Sequence, residues 1–165
     1  MRLIKLWEAD LEKAYKLQNS FKQDENGFIN AAYGYTLEQF AEYVELCRSY
    51  SKGEKLQEGY VPDSRFVLED DDGNYTGIFN LRHCLNEFLA NGPGHIGYGI
   101  APEYRKKGYA TKGLALVLEE AKKLGIEETY LSANRDNVGS VKAQLNNGAV
   151  IHKETEEKIY TRIEL

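Results

Sequence analysis

GYGIAPEYRKKGYATKG, Gly97 to Gly113, holds an apolar run, a proline, three consecutive cations and a glycine. His95 to Ala101 reads as a strand that Pro102 brings to an end. Beyond the cations, Leu114, Val117, Leu118 and Ala121 recur at i, i+3, i+4 and i+7. That is one apolar face of a helix running to about Leu124. Lys122 and Lys123 suit its negative end, and Gly125 closes it. A basic turn between strand and helix is a place for an anion. The first N–H groups of a helix have no partner inside it, and its dipole favours negative charge there. Gly108 lets a ligand approach the backbone because no Cβ intervenes. Ala110 keeps that approach open, and Arg105, Lys106 and Lys107 add attraction. The turn is built for phosphates.

Working outward, Arg2 to Trp7 is predicted as a strand, and Asp10 as the cap of a helix to about Gln23. Gln23 to Tyr35 reads as a loop. Thr36 caps a second helix to about Tyr50, with Leu37, Phe40, Ala41, Val44 and Cys47 on one side. Glu38, Glu42 and Glu45 form an acidic stripe on it, either a solvated face or the lip of a site for cationic substrates. Arg65 to Glu69 and Tyr75 to about Cys84 form a hairpin around DDDGN, Asp70 to Asn74. Leu85 to Ala90 is a short helix or loop. Thr129 to Ala133 is a strand, and Asn137 caps a helix ending at Asn147-Gly148. Val150 to Lys153 and Lys158 to Glu164 make a last hairpin. The order predicts a single α/β (α+β) domain over residues 1–165, with a mixed, mostly antiparallel sheet flanked by about four helices.

The chain has 165 residues and a formal net charge of −5. An acidic chain argues against general nucleic-acid binding, and the basic turn then stands out as a local site. Cys47 and Cys84 lack metal-like spacing and read as two buried free thiols, so no metal is expected. The first residues resemble neither a signal peptide nor a membrane span, which predicts a cytoplasmic protein without membrane contact.

Two familiar phosphate motifs are excluded. A nucleotide-binding loop needs Gly-Lys-Ser/Thr, but Tyr109 follows Gly108. A dinucleotide fingerprint needs a third glycine where Pro102 stands. What remains is Arg/Gln-x-x-Gly-x-Gly/Ala. With GYGIAPEYRKKGYATKGLALVLEEAKKLG and the later NRDNVGSVKAQLNNGAV, Asn134 to Val150, the chain resembles the GCN5-related N-acetyltransferase (GNAT) superfamily. The resemblance covers about Gly94 to Ala149, the cofactor half, and the element order fits the rest.

The resemblance implies acetyl transfer from acetyl-coenzyme A to a primary amine by direct attack. Arg105, Lys106, Lys107, Gly108, Tyr109 and Ala110 would hold the cofactor's pyrophosphate. The strand bearing Ile100 would lie along the pantetheine arm, with Asn137 and Ser140 near the other flank. Many relatives carry a tyrosine seven residues after that asparagine to protonate the leaving thiolate. Here the position is Gln144, and an amide cannot act as an acid. Tyr98, Tyr104, Tyr109 and Tyr130 are substitutes by proximity. A module that binds acyl-coenzyme A but has lost catalysis is the alternative reading. A further departure is Ala149, where relatives often have phenylalanine.

An amine of pKa about 10.4 is about one part in 2,500 neutral at pH 7, so a base is needed. His95, His83 and Glu103 are the base candidates. His83 stands with Arg82 and Asn86 in a polar knot. Residues of about 8–64 and 82–93 should shape the acceptor pocket, and their acids lean weakly toward a cationic amine. The acceptor is a small molecule or a peptide amine. Family resemblance implies a homodimer.

Overall fold

The computed structural model describes residues 1–165. β1 (Arg2–Lys5) leads into a tight turn that buries Leu6. α1 (Leu11–Gln18) starts at Asp10, whose carboxylate accepts from Lys13 N–H at 2.9 Å. It ends earlier than expected because the Asn30 side chain donates to the Gln18 and Phe21 carbonyls, drawing the chain away from the helix path. The predicted loop contains a small hairpin, β2 (Asp24–Glu25) and β3 (Phe28–Ile29). Asn26 and Gly27 at its tip both have positive φ, the geometry an Asn-Gly hairpin turn requires. α2 (Leu37–Ser51) opens with a full capping box between Thr36 and Gln39.

β4 (Asp63–Glu69) and β5 (Tyr75–Arg82) pair about the acidic turn. β4 begins two residues before the expected Arg65. A one-turn helix, α3 (Glu87–Ala90), precedes β6 (Ile96–Ile100). Then come α4 (Tyr109–Lys123), β7 (Glu128–Asn134), α5 (Val138–Leu145), β8 (Val150–Glu154) and β9 (Lys158–Glu164).

The strands form two main sheets, in the orders β1-β4-β5-β6 and β7-β9-β8. Every ladder is antiparallel, so the expected mixed sheet is two antiparallel ones. They meet at a single bridge between Gly94 and Leu131. Gly94 has φ 72°, and a Cβ there would stand 2.1 Å from the Tyr130 carbonyl oxygen. Only glycine permits that approach. Beyond the bridge β6 and β7 part, which opens a wedge between the sheets.

The side-chain period of two sorts the first sheet into two faces. Phe66, Leu68, Phe79, Leu81, Ile96 and Ile100 pack with Leu114, Val117 and Leu118 of α4. Val67, Ile78 and Ala101 pack on the opposite face with Leu17, Phe40, Val44 and Cys47 of α1 and α2. Cys84 lies past the end of β5 and is exposed, unlike the buried Cys47, so only one thiol is in the core.

Candidate active site

The basic turn joins the end of β6 to α4. Gly108 caps the helix with φ 83° and no side chain satisfies its start. The N–H groups of Tyr109, Ala110 and Thr111 have no acceptor within the chain. A Cβ on Gly108 would meet nothing within 4 Å, so the space before the helix is open. Lys106 also has positive φ, at 60°, and its side chain is exposed.

The three cations are not equivalent. Arg105 donates through Nε to the Ile100 carbonyl at 2.9 Å and pairs with Glu25 of the small hairpin at 2.8 Å. Its guanidinium holds the Glu25 carboxyl below the usual range. Lys107 donates to the Glu103 carbonyl at 2.8 Å and lies over the Tyr104 ring. Tyr109 turns away, donating toward Asp70 at 3.4 Å. This set suits a pyrophosphate, with backbone donors aimed at the ligand and side chains framing them.

β6 supplies a second row of donors. Ala101 N–H bonds to Thr76 and Arg82 N–H to His95, which sets the phase of the β5–β6 ladder. Gly97 and Gly99 therefore face β5, while the N–H groups of Ile96, Tyr98 and Ile100 face the wedge. The small hairpin covers this region. Phe28 lies over Gly99, and Gly27 lies beside Asn134 of β7.

Across the wedge, Tyr98 reaches α5. Its hydroxyl lies 2.8 Å from Ser140 Oγ, and its ring stacks on Phe79. Burial holds the phenol above its ordinary pKa. Asn137 caps α5 and accepts from Ser140 N–H at 3.2 Å. Gln144 is 1 % exposed. Its oxygen accepts from Thr161 at 2.8 Å and its amide donates to Ser140 Oγ at 3.4 Å. Gln144 is therefore an internal brace, and the phenol linked to it through Ser140 is that of Tyr98. Ala149 is buried in the core beside α4.

The three base candidates separate. His95 is buried, and its ring Nδ1 accepts from Tyr130 N–H at 3.0 Å while its backbone N–H donates to the Tyr130 carbonyl. Burial, then Arg82 and Arg162, lower its pKa to about 4. It is a neutral ring whose acceptor nitrogen is already engaged in joining β6 to β7. His83 faces the α4 side, in a cleft with Ser64, Phe66, Glu120 and Lys123, and lies 2.8 Å from Ser64 Oγ. Glu120 stands about 16 Å along α4 from its start, so His83 is far from the basic turn. Burial lowers its pKa. Arg82 points to the other face, and Asn86 caps α3, so the polar knot does not form one site. Glu103 is exposed.

The α2-facing side of the first sheet carries a set of polar residues of which the sequence reading singled out only Arg82 and His95. Ladder register puts Arg65, Asn80 and Gly97 in one row and Asp63 and Arg82 in the next, with His95 beyond Arg82. Asp63 is 7 % exposed, and its Oδ1 has no hydrogen-bond partner. Its Oδ2 lies 3.4 Å from Arg65 Nε, within ion-pair range but without hydrogen-bond geometry. Burial raises the Asp63 pKa to about 6, against the pull of Arg82 and Asn80. Cys47 and Tyr50 of α2 face it, and burial pushes both of their pKa values up. Arg65 also bonds the Tyr43 hydroxyl of α2. Asn80 Oδ1 is a further buried oxygen without a partner. Beside Gly97 a Cβ would meet nothing within 4 Å, so the row ends in open space. The one available signal was charge at alternate positions, Asp63 and Arg65, beside the first hairpin strand.

No helix is long and apolar enough to cross a membrane. Among curated proteins, none matches the sequence. Solved structures do match its fold. The spermidine N-acetyltransferase of Vibrio cholerae, in complex with CoA and spermine, is 21 % identical, with TM-score 0.63 over 98 % of this chain and 94 % of that one. The ribosomal-protein-S5-alanine acetyltransferase of Vibrio fischeri is 18 % identical, with TM-score 0.65 over 99 % and 91 %. The family model of the GNAT acetyltransferase domain matches residues 1–150. With the helix start, the wedge and this match in agreement, the chain belongs to the GNAT acetyltransferase family and is an N-acetyltransferase.

Proposed function

We propose that this enzyme uses acetyl-coenzyme A to acetylate a primary amine by direct attack. The observation that carries the reading is the open start of α4, with its free N–H groups, at the end of a strand whose other free N–H groups line the wedge. Residues of about 94–149 then form the cofactor half. The acceptor side extends beyond 8–64 and 82–93 to include Arg65 and Asn80. Relatives seen with CoA or acetyl-CoA support the cofactor.

The bound thioester supplies the acetyl group: the amine nitrogen bonds to the carbonyl carbon, the C–S bond breaks, and the thiolate takes up a proton. Wedge-facing N–H groups of β6 receive the charge that develops on the carbonyl oxygen. Asp63 takes the ammonium proton directly or through water, since its unpartnered oxygen and pKa of about 6 suit a base near neutrality. Tyr98 holds the proton for the thiolate and is oriented by Ser140. His95 keeps the two sheets in register.

Calorimetry with acetyl-coenzyme A tests the cofactor site. Gly108→Glu puts a carboxylate in the anion space and leaves the rest of the chain untouched. It should weaken binding more than ~100-fold while circular dichroism stays native, since positive φ at one non-glycine residue costs only about 1–3 kcal/mol. Unchanged affinity would place the pyrophosphate elsewhere.

A further inference from the structure

The surface beside Gly97 is cationic. Arg65 and Arg82 stand in the two polar rows of the first sheet. Arg162, opposite Tyr130 on β9, stacks over that ring at 3.6 Å and acts with Arg82 on His95. Arg65 and Arg82 thus flank one carboxylate, Asp63, and Arg82 and Arg162 flank one neutral imidazole, His95. The protein has eight ion pairs, and neither Arg82 nor Arg162 belongs to any of them. Arg82 has one bond to the Gly94 carbonyl, at 3.0 Å, and Arg162 one to the Thr161 carbonyl, at 2.9 Å. A guanidinium has five N–H donors, so each keeps donors to spare. Meanwhile Glu38, Glu42 and Glu45, the acidic stripe of α2, are exposed, away from the buried face of that helix.

We propose that the acetyl acceptor is a small amino acid whose carboxylate is received by Arg82 and Arg162 while its amine lies beside Gly97. This rests on the cofactor reading above. A planar guanidinium matches a carboxylate by paired hydrogen bonds. Arg82 on β5 and Arg162 on β9 flank His95 from either side, and Gly97 lies two residues along β6 from His95 on the same face, about 7 Å at ~3.4 Å per residue, a gap that one amino acid and the reach of two guanidinium groups can span. A polyamine would place two or more ammonium groups against the same arginines, which like-charge repulsion opposes.

The test is release of coenzyme A thiol from acetyl-coenzyme A. The probes are the twenty common amino acids, their α-carboxamides, spermidine, and a peptide amide beginning with glutamate. At least one amino acid should be acetylated with kcat/KM ~10-fold or more above its carboxamide. Arg82→Gln and Arg162→Gln should each raise KM for that amino acid ~10-fold and erase the preference, with acetyl-coenzyme A affinity unchanged. The acid-to-carboxamide ratio of the unmodified enzyme decides the matter even where a variant folds poorly. Carboxamides or spermidine used as well as the acid would overturn the proposal. So would turnover of the peptide amide alone, or cofactor binding with no turnover of any probe. Failure to bind acetyl-coenzyme A would instead overturn the cofactor reading beneath it.

Discussion

Asp63 is a buried carboxylate on the proposed acceptor face, with one oxygen left without a partner. Its folded pKa lies near 6 against an ordinary 3.8, a difference of about 3 kcal/mol against the ionised form. The sign follows from which state binds the proton more tightly. Here the folded state does, so Asp63's contribution to stability is greatest below pH 4, falls as pH rises toward 6, and is flat above. Asp63→Asn keeps the shape and removes the charge. At pH 8 its melting temperature should be no lower than the parent's, while kcat falls ~10²–10⁴-fold. The parent's kcat/KM should show an acidic limb near pH 6 that the variant lacks. A clear loss of melting temperature at pH 8 would mean the carboxylate is a net stabiliser through Arg65 and Arg82.

At the scale of elements, α4 sets the back wall of the wedge. Gly113 faces Phe79, and a Cβ there would lie 2.2 Å from the ring's Cζ. Phe79 in turn stacks on Tyr98 at 5.4 Å. Gly113→Ala should therefore lower stability by about 1–3 kcal/mol through overpacking, read as a lower denaturant midpoint. It should also reduce kcat, because the displaced ring carries Tyr98 with it. This helix and its basic turn were legible in the sequence, since an apolar stripe and a glycine are local signals. The α2 cap at Thr36 was legible for the same reason. The β2–β3 hairpin was not, because two-residue strands leave no periodicity around Asn26-Gly27. Arg82 and His83 misled as neighbours, since successive strand residues face opposite ways. Arg65 and Arg82 come together through strand pairing, and Arg162 joins Arg82 around His95 only across the junction of the two sheets, which no local pattern encodes.

For the molecule as a whole, the wedge between two sheets is the proposed site, and the β2–β3 hairpin spans its mouth from Gly99 to Asn134. That hairpin is tied to the basic turn by the Glu25–Arg105 pair. An anion arriving at the turn competes with Glu25 for one guanidinium. Competition of this kind is reciprocal: whatever the ion pair takes from cofactor affinity, a bound cofactor takes from the hairpin's anchorage. Glu25→Gln should tighten acetyl-coenzyme A binding by ~2–5-fold in calorimetry, the worth of a partly exposed ion pair. Amide exchange at residues 24–29 should quicken in the same variant. Weaker binding would show that Glu25 instead orients Arg105 for the phosphate. On the proposed cofactor site, loading at one end of the wedge would loosen its cover, so the order in which cofactor and acceptor enter becomes a property of a single ion pair.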